Sequence, residues 1–412
     1  MDCGVKITYG VQDYQIFQQD RNGYSEISLG GQCFLDKRDV KVYVKLVAED
    51  TGESVINWQP AVMDGKRWSI TLKKVPAGGL YRIETGADYE NTLTPEWYIR
   101  GDMPKLGVHL YANDGRWKLA AHPLNDSTDT VYPENCEVSN CGHSPYLHFA
   151  KILNAKRGYP IGLIAAALGG SSLSAWIDSE DGVLYRSMIN KIRDAGGAVK
   201  GILWYQGCSD TLSAERNRYA ERFLSMVEQL RKDTLNPELV FLTVQLNRYK
   251  TTPVDGEDEG WSIIREQQRL AAHAPGVYIV SAIDLPLSDM IHISPAGNIA
   301  LGERLAVCAA LSTVYQNRSD GISPDIQSAV KDGNTIVLTF ANMPNNRLST
   351  FACDPGRTAF SVCNQDGDKL ALTGVAASGN TIVLTYDDTL PDEELFVTLA
   401  GGKDPLGVVP VE

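Results

Sequence analysis

The stretch Val199-Lys200-Gly201-Ile202-Leu203-Trp204-Tyr205-Gln206-Gly207-Cys208-Ser209-Asp210 decides how the middle of this chain is read. Val199–Tyr205 is apolar almost throughout and lacks the alternation of a half-exposed strand, so it reads as a strand buried on both faces. The same pattern recurs at Ile161–Leu168, Leu239–Leu246 and Val277–Ile283. Five helix-like stretches alternate with these four runs. After Ser213, residues Tyr219, Phe223, Met226, Val227 and Leu230 fall on one helical face, with Glu and Arg on the other. The last helix has Ser294 as its N-cap and Pro295 at its first position. Buried strands alternating with helices specify a parallel sheet covered on its faces. Residues 101–315 are therefore expected to form a doubly wound α/β domain.

On either side of this region the periodicity changes. Ile27-Ser28-Leu29, Val40–Leu46 and Trp68–Leu72 alternate apolar and polar residues, with turn residues such as Asp64-Gly65 and Pro76-Ala77-Gly78-Gly79 between them. Residues 1–100 read as a β-sandwich of the immunoglobulin-like kind. Further on, Gly333-Asn334-Thr335-Ile336-Val337-Leu338-Thr339-Phe340 is echoed by Gly379-Asn380-Thr381-Ile382-Val383-Leu384-Thr385-Tyr386. Two copies are too few for a solenoid, and they read as two edges of one small sandwich over residues 316–412. The expected fold is an α/β parallel-sheet domain flanked by two β-sandwich domains.

At 412 residues the chain is too long for one ordinary core. A formal net charge of -13 argues against nucleic acid or an anionic membrane as partner, and no segment is apolar for long enough to span a bilayer. Met1–Lys6 lacks the charged start and apolar run of a secretory signal, so a cytoplasmic location with reduced thiols is expected. The eight cysteines include no C-x-x-C pair, and bridges within Cys136/Cys141 and Cys353/Cys363 stay open. No phosphate-cradling glycine loop occurs, so no nucleotide cofactor is implied. Asp255–Glu259 lacks the spacing of a calcium loop and reads as a solvated turn. His109, His122, His143 and His148 have no metal-ligand spacing and read as core or pocket-wall residues, with His143 the one that can face a site. No metal is expected, and the oligomeric state is left open.

Ligands of an open parallel sheet bind outside the carboxyl ends of its strands. After the first run come Gly169-Gly170-Ser171-Ser172-Leu173-Ser174-Ala175-Trp176; paired glycines there bring a backbone N–H close to a ligand, or simply make a tight turn beside a packed Trp. After the second run, Gln206 is a side-chain donor for a developing oxyanion, or a satisfied polar group at a strand end. After the fourth run, Asp289 precedes His292 by three residues. A carboxylate so placed can hold one ring nitrogen and leave the other to take a proton.

These blocks, Ala-Leu-Gly-Gly-Ser-Ser-Leu-Ser-Ala-Trp at 167–176, Trp-Tyr-Gln-Gly-Cys-Ser-Asp at 204–210 and Asp-Met-Ile-His at 289–292, resemble successive motifs of the SGNH hydrolases. The particular likeness is to the sialate O-acetylesterase-like carbohydrate esterases, with a flavodoxin-like catalytic domain. Leu106–Leu124 resembles the segment just after that family's nucleophile, and Gly142-His143-Ser144-Pro145 opens a matching helix. The resemblance implies a carbohydrate O-acetylesterase, cleaving acetyl esters from sialic acid or another decorated sugar through a Ser–His–Asp site, without a cofactor. It implies His292 as general base, Asp289 as its orienting partner, and an oxyanion hole from the backbone N–H of Gly170 (or Gly169) and the side chain of Gln206.

The chain departs from that pattern in two places. The Gly-Gln-Ser-Asn block that carries the family's serine is absent. Sequence up to Met103 looks like the family's segment before the nucleophile strand, and sequence from Pro104 looks like its segment after the nucleophile. Gly30-Gly31-Gln32-Cys33 echoes the missing letters but reads as a turn of the N-terminal sandwich. Cys208 stands where the family usually has Glu. Cys208, Ser171 and Ser172 are the substitute nucleophiles to consider, and none stands on the elbow that aims the family's serine. Loss of the first strand also opens a gap that Leu106–Tyr111 is available to fill. Three readings remain: an acetylesterase by architecture whose catalysis is in question, a non-catalytic carbohydrate-binding pseudoenzyme, and a truncated or mis-assembled copy with no stable role.

Overall fold

The computed structural model describes residues 4–11, 15, 17, 19–34, 40–48, 51, 53–77, 81–89, 92–93, 102–137, 142–252, 256–314, 321–343 and 358–405. The chain is a mixed α/β protein that divides into two compact units. One comprises Met1–His148, Pro160–Ala167 and Pro286–Ile299; the other comprises Phe149–Tyr159, Leu168–Leu285 and Ala300–Glu412.

The first unit begins with β1 (Val5–Tyr9), β2 (Tyr24–Cys33), β3 (Lys41–Ala48), β4 (Ser54–Pro60), β5 (Val62–Asp64), β6 (Arg67–Pro76), β7 (Tyr81–Tyr89) and β8 (Thr92–Leu93). They form two antiparallel sheets, ordered β1-β2-β6-β5 and β4-β3-β7-β8. The alternation read from sequence is what fills the space between them. Ile27, Leu29, Val42, Val44, Leu46, Trp68 and Leu72 share one core. Gly30–Cys33 is a correction: it is no turn but the end of β2, paired with both β1 and β6. Its glycines answer to crowding, since a Cβ on Gly31 would stand 1.7 Å from the carbonyl oxygen of Lys6.

The same unit holds β9 (Val108–Tyr111), β10 (Trp117–Leu119) and β11 (Ile161–Ile164), ordered β10-β9-β11. β9 pairs with β11 in parallel, with Val108 opposite Ile161 and Tyr111 opposite Ile164. α1 (Pro145–Arg157) separates β10 from β11 in the chain.

In the second unit, β12 (Gly201–Trp204), β13 (Val240–Gln245) and β14 (Val277–Ser281) form a second three-stranded sheet, parallel throughout. It alternates along the chain with α2 (Val183–Asp194), α3 (Tyr219–Asp233), α4 (Glu257–Ala271) and α5 (Pro295–Val314). β13 and β14 are buried as continuous apolar runs predict, whereas β11 and β12 are only half-buried. In α3 the five apolar residues of the sequence stripe are all buried. Glu257, Asp258 and Glu259, expected in a solvated turn, form the first turn of α4, where the helix dipole favours acidic side chains.

The second unit ends with β15 (Asp325–Asp332), β16 (Thr335–Ala341), β17 (Phe360–Cys363), β18 (Gly374–Ser378), β19 (Thr381–Thr385) and β20 (Phe396–Leu399). Sheets β15-β16-β19-β18 and β17-β20 enclose a core of Leu338, Phe340, Val362, Ile382 and Leu384. The repeated octapeptides are not edges. They pair with each other as the two central strands, Thr335 opposite Thr385 and Thr339 opposite Thr381. Each repeat's Asn caps its partner: Asn334 Nδ2 donates to the Tyr386 carbonyl at 2.8 Å, and Asn380 Nδ2 to the Phe340 carbonyl at 3.1 Å. Cys141 and Cys353, one from each close cysteine pair, lie outside the described residues, as do Trp97–Gly101. Among the described residues no helix is long and apolar enough to cross a membrane.

Candidate active site

The loop between β14 and α5 carries His292. A bridge between Leu287 and Ile293 pinches its base, and the Ser288 N–H donates to the His292 carbonyl at 2.9 Å. Ser294 caps α5 as its sequence predicts, accepting from the Gly297 N–H at 3.2 Å. Inside this frame Asp289 takes three hydrogen bonds. Oδ1 accepts from the backbone N–H groups of Ile291 (2.8 Å) and His292 (2.6 Å), and Oδ2 meets His292 Nδ1 at 2.6 Å. Partial burial works to raise the Asp289 carboxyl, but the bonds from the His292 backbone and ring and from Ile291 outweigh it and hold the group below the usual carboxylate range. With Nδ1–H committed to Asp289, the Nε2 lone pair is the one available to accept a proton, on a ring 75% exposed. The Asp-x-x-His spacing thus forms the dyad that sequence anticipates.

Gly169, Gly170 and Gln206 lie in the second unit, where the loops after β11 and β12 are laced together. Gln206 Nε2 donates to the Ser171 carbonyl (3.0 Å) and to Asp210 Oδ2 (2.5 Å), while its Oε1 accepts from the Tyr219 hydroxyl at 3.0 Å. An amide has two N–H donors, and both are spent here. Service at an oxyanion requires that one be released. Gly170 is exposed with φ +70°, and a Cβ there would meet nothing within 4 Å, so backbone conformation alone calls for glycine. Its carbonyl accepts from Ser209 Oγ at 2.9 Å.

The substitute nucleophiles are occupied or unreactive. Ser171 Oγ donates to the Leu168 carbonyl at 2.8 Å and accepts from the Trp176 indole at 3.0 Å. Ser172 and Ser174 hydroxyls bond each other at 2.9 Å. Burial pushes the Cys208 thiol up to about 12, which leaves almost no thiolate at neutral pH. Asp210, which closes the Trp-Tyr-Gln-Gly-Cys-Ser-Asp motif without a role predicted for it, organises this loop pair. It is 2% exposed, accepts from the Leu173 N–H at 2.9 Å and from Gln206, and burial raises its carboxyl despite those bonds.

Back in the first unit, a cluster that no sequence spacing announces surrounds Asp102. That carboxylate is fully buried, and its Oδ2 meets His122 Nε2 at 2.5 Å and pairs also with His143 Nε2. The two imidazole rings lie 4.0 Å apart, centre to centre. His148 Nδ1 stands 4.0 Å from Asp102 Oδ1. Burial disfavours the Asp102 anion, but the hydrogen bonds and charge of His122 and His143 prevail and hold its carboxyl far below the usual range. Donor atoms of Asp102, His122 and His143 lie within 4.8 Å of one another, so these residues can hold a metal ion. Sequence spacing gives Asp102 no signal and leaves the histidines as single residues, because the three come together only through the fold.

Comparison with known proteins places this geometry in context. Residues 94–310 match the family described as carbohydrate esterase, sialic acid-specific acetylesterase. A probable carbohydrate esterase of Arabidopsis thaliana is 28% identical over 226 residues, which cover 53% of this chain and 78% of that protein. A carbohydrate acetylesterase from Xanthomonas citri shares the fold at a TM-score of 0.57 and 21% identity, with 94% of this chain and 95% of that one aligned.

Proposed function

The chain belongs to the sialic acid-specific acetylesterase family of carbohydrate esterases, and from that premise we propose that it recognises acetyl esters of carbohydrates but lacks the serine that would carry acyl transfer. The carrying observation is the Asp289–His292 dyad, complete at 2.6 Å while the Gly-Gln-Ser-Asn block is absent from the chain. A base without its nucleophile can still accept a proton from water at Nε2. The hydroxide so formed attacks the acetyl carbonyl, and the tetrahedral intermediate collapses by expelling the sugar oxygen, which takes up the proton. Such hydrolysis forgoes the acyl-enzyme and is expected to be no more than about 10³–10⁴-fold above the uncatalysed rate.

The sheet pairing supports the same reading. A flavodoxin-like doubly wound sheet runs in the order 2-1-3-4-5. Removing its first strand leaves the second beside the third, and β9 pairs in parallel with β11. On this reading residues 101–315 are the esterase domain, flanked by sandwiches over 1–100 and 316–412, and the loops of Gly170 (or Gly169) and Gln206 are the remnant of the oxyanion hole. Sialic acid as the sugar is carried by the family likeness alone.

The test pairs turnover of p-nitrophenyl acetate with calorimetric titration of O-acetylated sialic acid, on the intact chain and on His292→Ala. Weak turnover that falls to background in the variant, with sugar binding kept, is expected. Turnover at the level of an ordinary esterase would mean that a hydroxyl or thiol has replaced the serine. Absence of both turnover and binding would remove the carbohydrate from the account.

A further inference from the structure

The hydrolysis proposed for the Asp289–His292 dyad does not use the cluster around Asp102, and that cluster is built as a site. We propose that Asp102, His122 and His143 bind one divalent cation of borderline softness, Zn²⁺ by preference, in a closed structural site. Three observations lead there. The donors are one carboxylate oxygen and two imidazole nitrogens, a set that suits Zn²⁺ and is poor for Mg²⁺ or Ca²⁺, which prefer oxygen. All three are withdrawn from water, Asp102 entirely and the His122 and His143 side chains to 6% and 2% exposure. Finally, both ring nitrogens of His143 are buried without a well-formed hydrogen bond among the described residues, so Nε2 faces the Asp102 carboxylate with its ligating capacity unspent.

The three donors come from separate segments: Asp102 before β9, His122 after β10, and His143 at the start of α1. His143 is further anchored through its carbonyl, which accepts from Asn298 Nδ2 at 2.9 Å. His122 Nδ1 accepts from the Ser144 N–H at 3.4 Å, which places the ring proton on Nε2, aimed at the carboxylate. A cation takes the place of that proton. With bonds near 2.0–2.2 Å, tetrahedral ligands stand roughly 3.3 Å apart, so both imidazoles need draw back from Asp102 Oδ2 by only about an ångström. His148 is the neighbour placed to complete the shell. A closed shell of this kind ties three chain segments together and predicts a stabilising role, independent of any ester chemistry.

The full chain, stripped with chelator, would be given Zn²⁺, Co²⁺ or Mg²⁺ in turn, gel-filtered, and assayed for retained metal and thermal unfolding. Expected are retention of a single equivalent of Zn²⁺ with a raised Tm, no response to Mg²⁺, and affinity about tenfold or more lower in His122→Gln and His143→Gln. Should those variants not fold, the Co²⁺ spectrum of the unaltered chain decides: tetrahedral bands without thiolate charge transfer support the site, and a thiolate band assigns the ion to cysteines. No retention and no Tm shift would make the cluster a hydrogen-bonded carboxylate–imidazole group only. Equal retention by chain and variants would place the ion elsewhere. Each of those last two outcomes, like the thiolate band, overturns the proposal.

Discussion

Asp289 is where the chemistry of the dyad can be read through stability. Its carboxyl is held below the value of an unfolded aspartate, about 3.9. The contribution is therefore fully present above that value and is lost as pH falls through the lower folded pKa. The Tm difference between the intact chain and Asp289→Asn should be constant from neutral pH down to about pH 5 and shrink below about pH 4. Differential scanning calorimetry across that range checks it; a gap that widens in acid would show that the carboxylate is not the stabilised form. Much of the dyad is legible in sequence, because a carboxylate three residues from a histidine can reach the ring within one turn of chain. The state of Gln206 is not. Its motif identifies a donor at a strand end, but only the approach of Ser171 and Asp210 reveals that both N–H groups are spent.

Among the elements, α4 shows how a strand-rich segment is fastened to a helix. Arg265 is 5% exposed, and its five donors meet five backbone carbonyls: Leu246 from Nε, Ala400 and Gly402 from Nη1, Asn247 and Lys403 from Nη2. Lys403, 4% exposed, adds a bond to the Thr252 carbonyl at 2.7 Å and one to Glu257 Oε2 at 2.5 Å. Arg265→Met keeps the apolar stem and strands the carbonyls. A loss of roughly 3 kcal/mol or more in denaturant unfolding is expected, with faster amide exchange concentrated at 400–403. Nothing in the helical stripe of α4 sets this arginine apart from its surface neighbours. The two octapeptide repeats teach the same lesson, since alternation assigns them as strands while leaving open whether they pair with each other.

For the molecule as a whole, the proposed reading turns on a strand absent between Met103 and Pro104, and an insertion there tests it. Inserting a strand and elbow bearing Gly-Gln-Ser-Asn between Met103 and Pro104 should restore acyl transfer if β9 now lies beside β11 because their common neighbour is gone. The expected gain on p-nitrophenyl acetate is about 10³-fold or more, abolished by changing the new Ser to Ala. A folded, inert insertion variant would locate the defect outside the nucleophile block, for example in the committed amide of Gln206.

Outside Gly30–Cys33 and Glu257–Glu259, the sequence by itself determined the kinds of elements named from it, the stripe of α3, the cap at Ser294 and the Asp289–His292 pair. These depend on interactions that span a few residues, where periodicity and side-chain reach leave few alternatives. Tertiary structure alone decided that β9 lies against β11, that the repeats form the centre of one sheet, and that His122 and His143 close on Asp102 from 20 and 41 positions away in the chain. Each of those outcomes is a competition among distant partners for the same buried surface, hydrogen bond or charge. No local pattern records which partner wins.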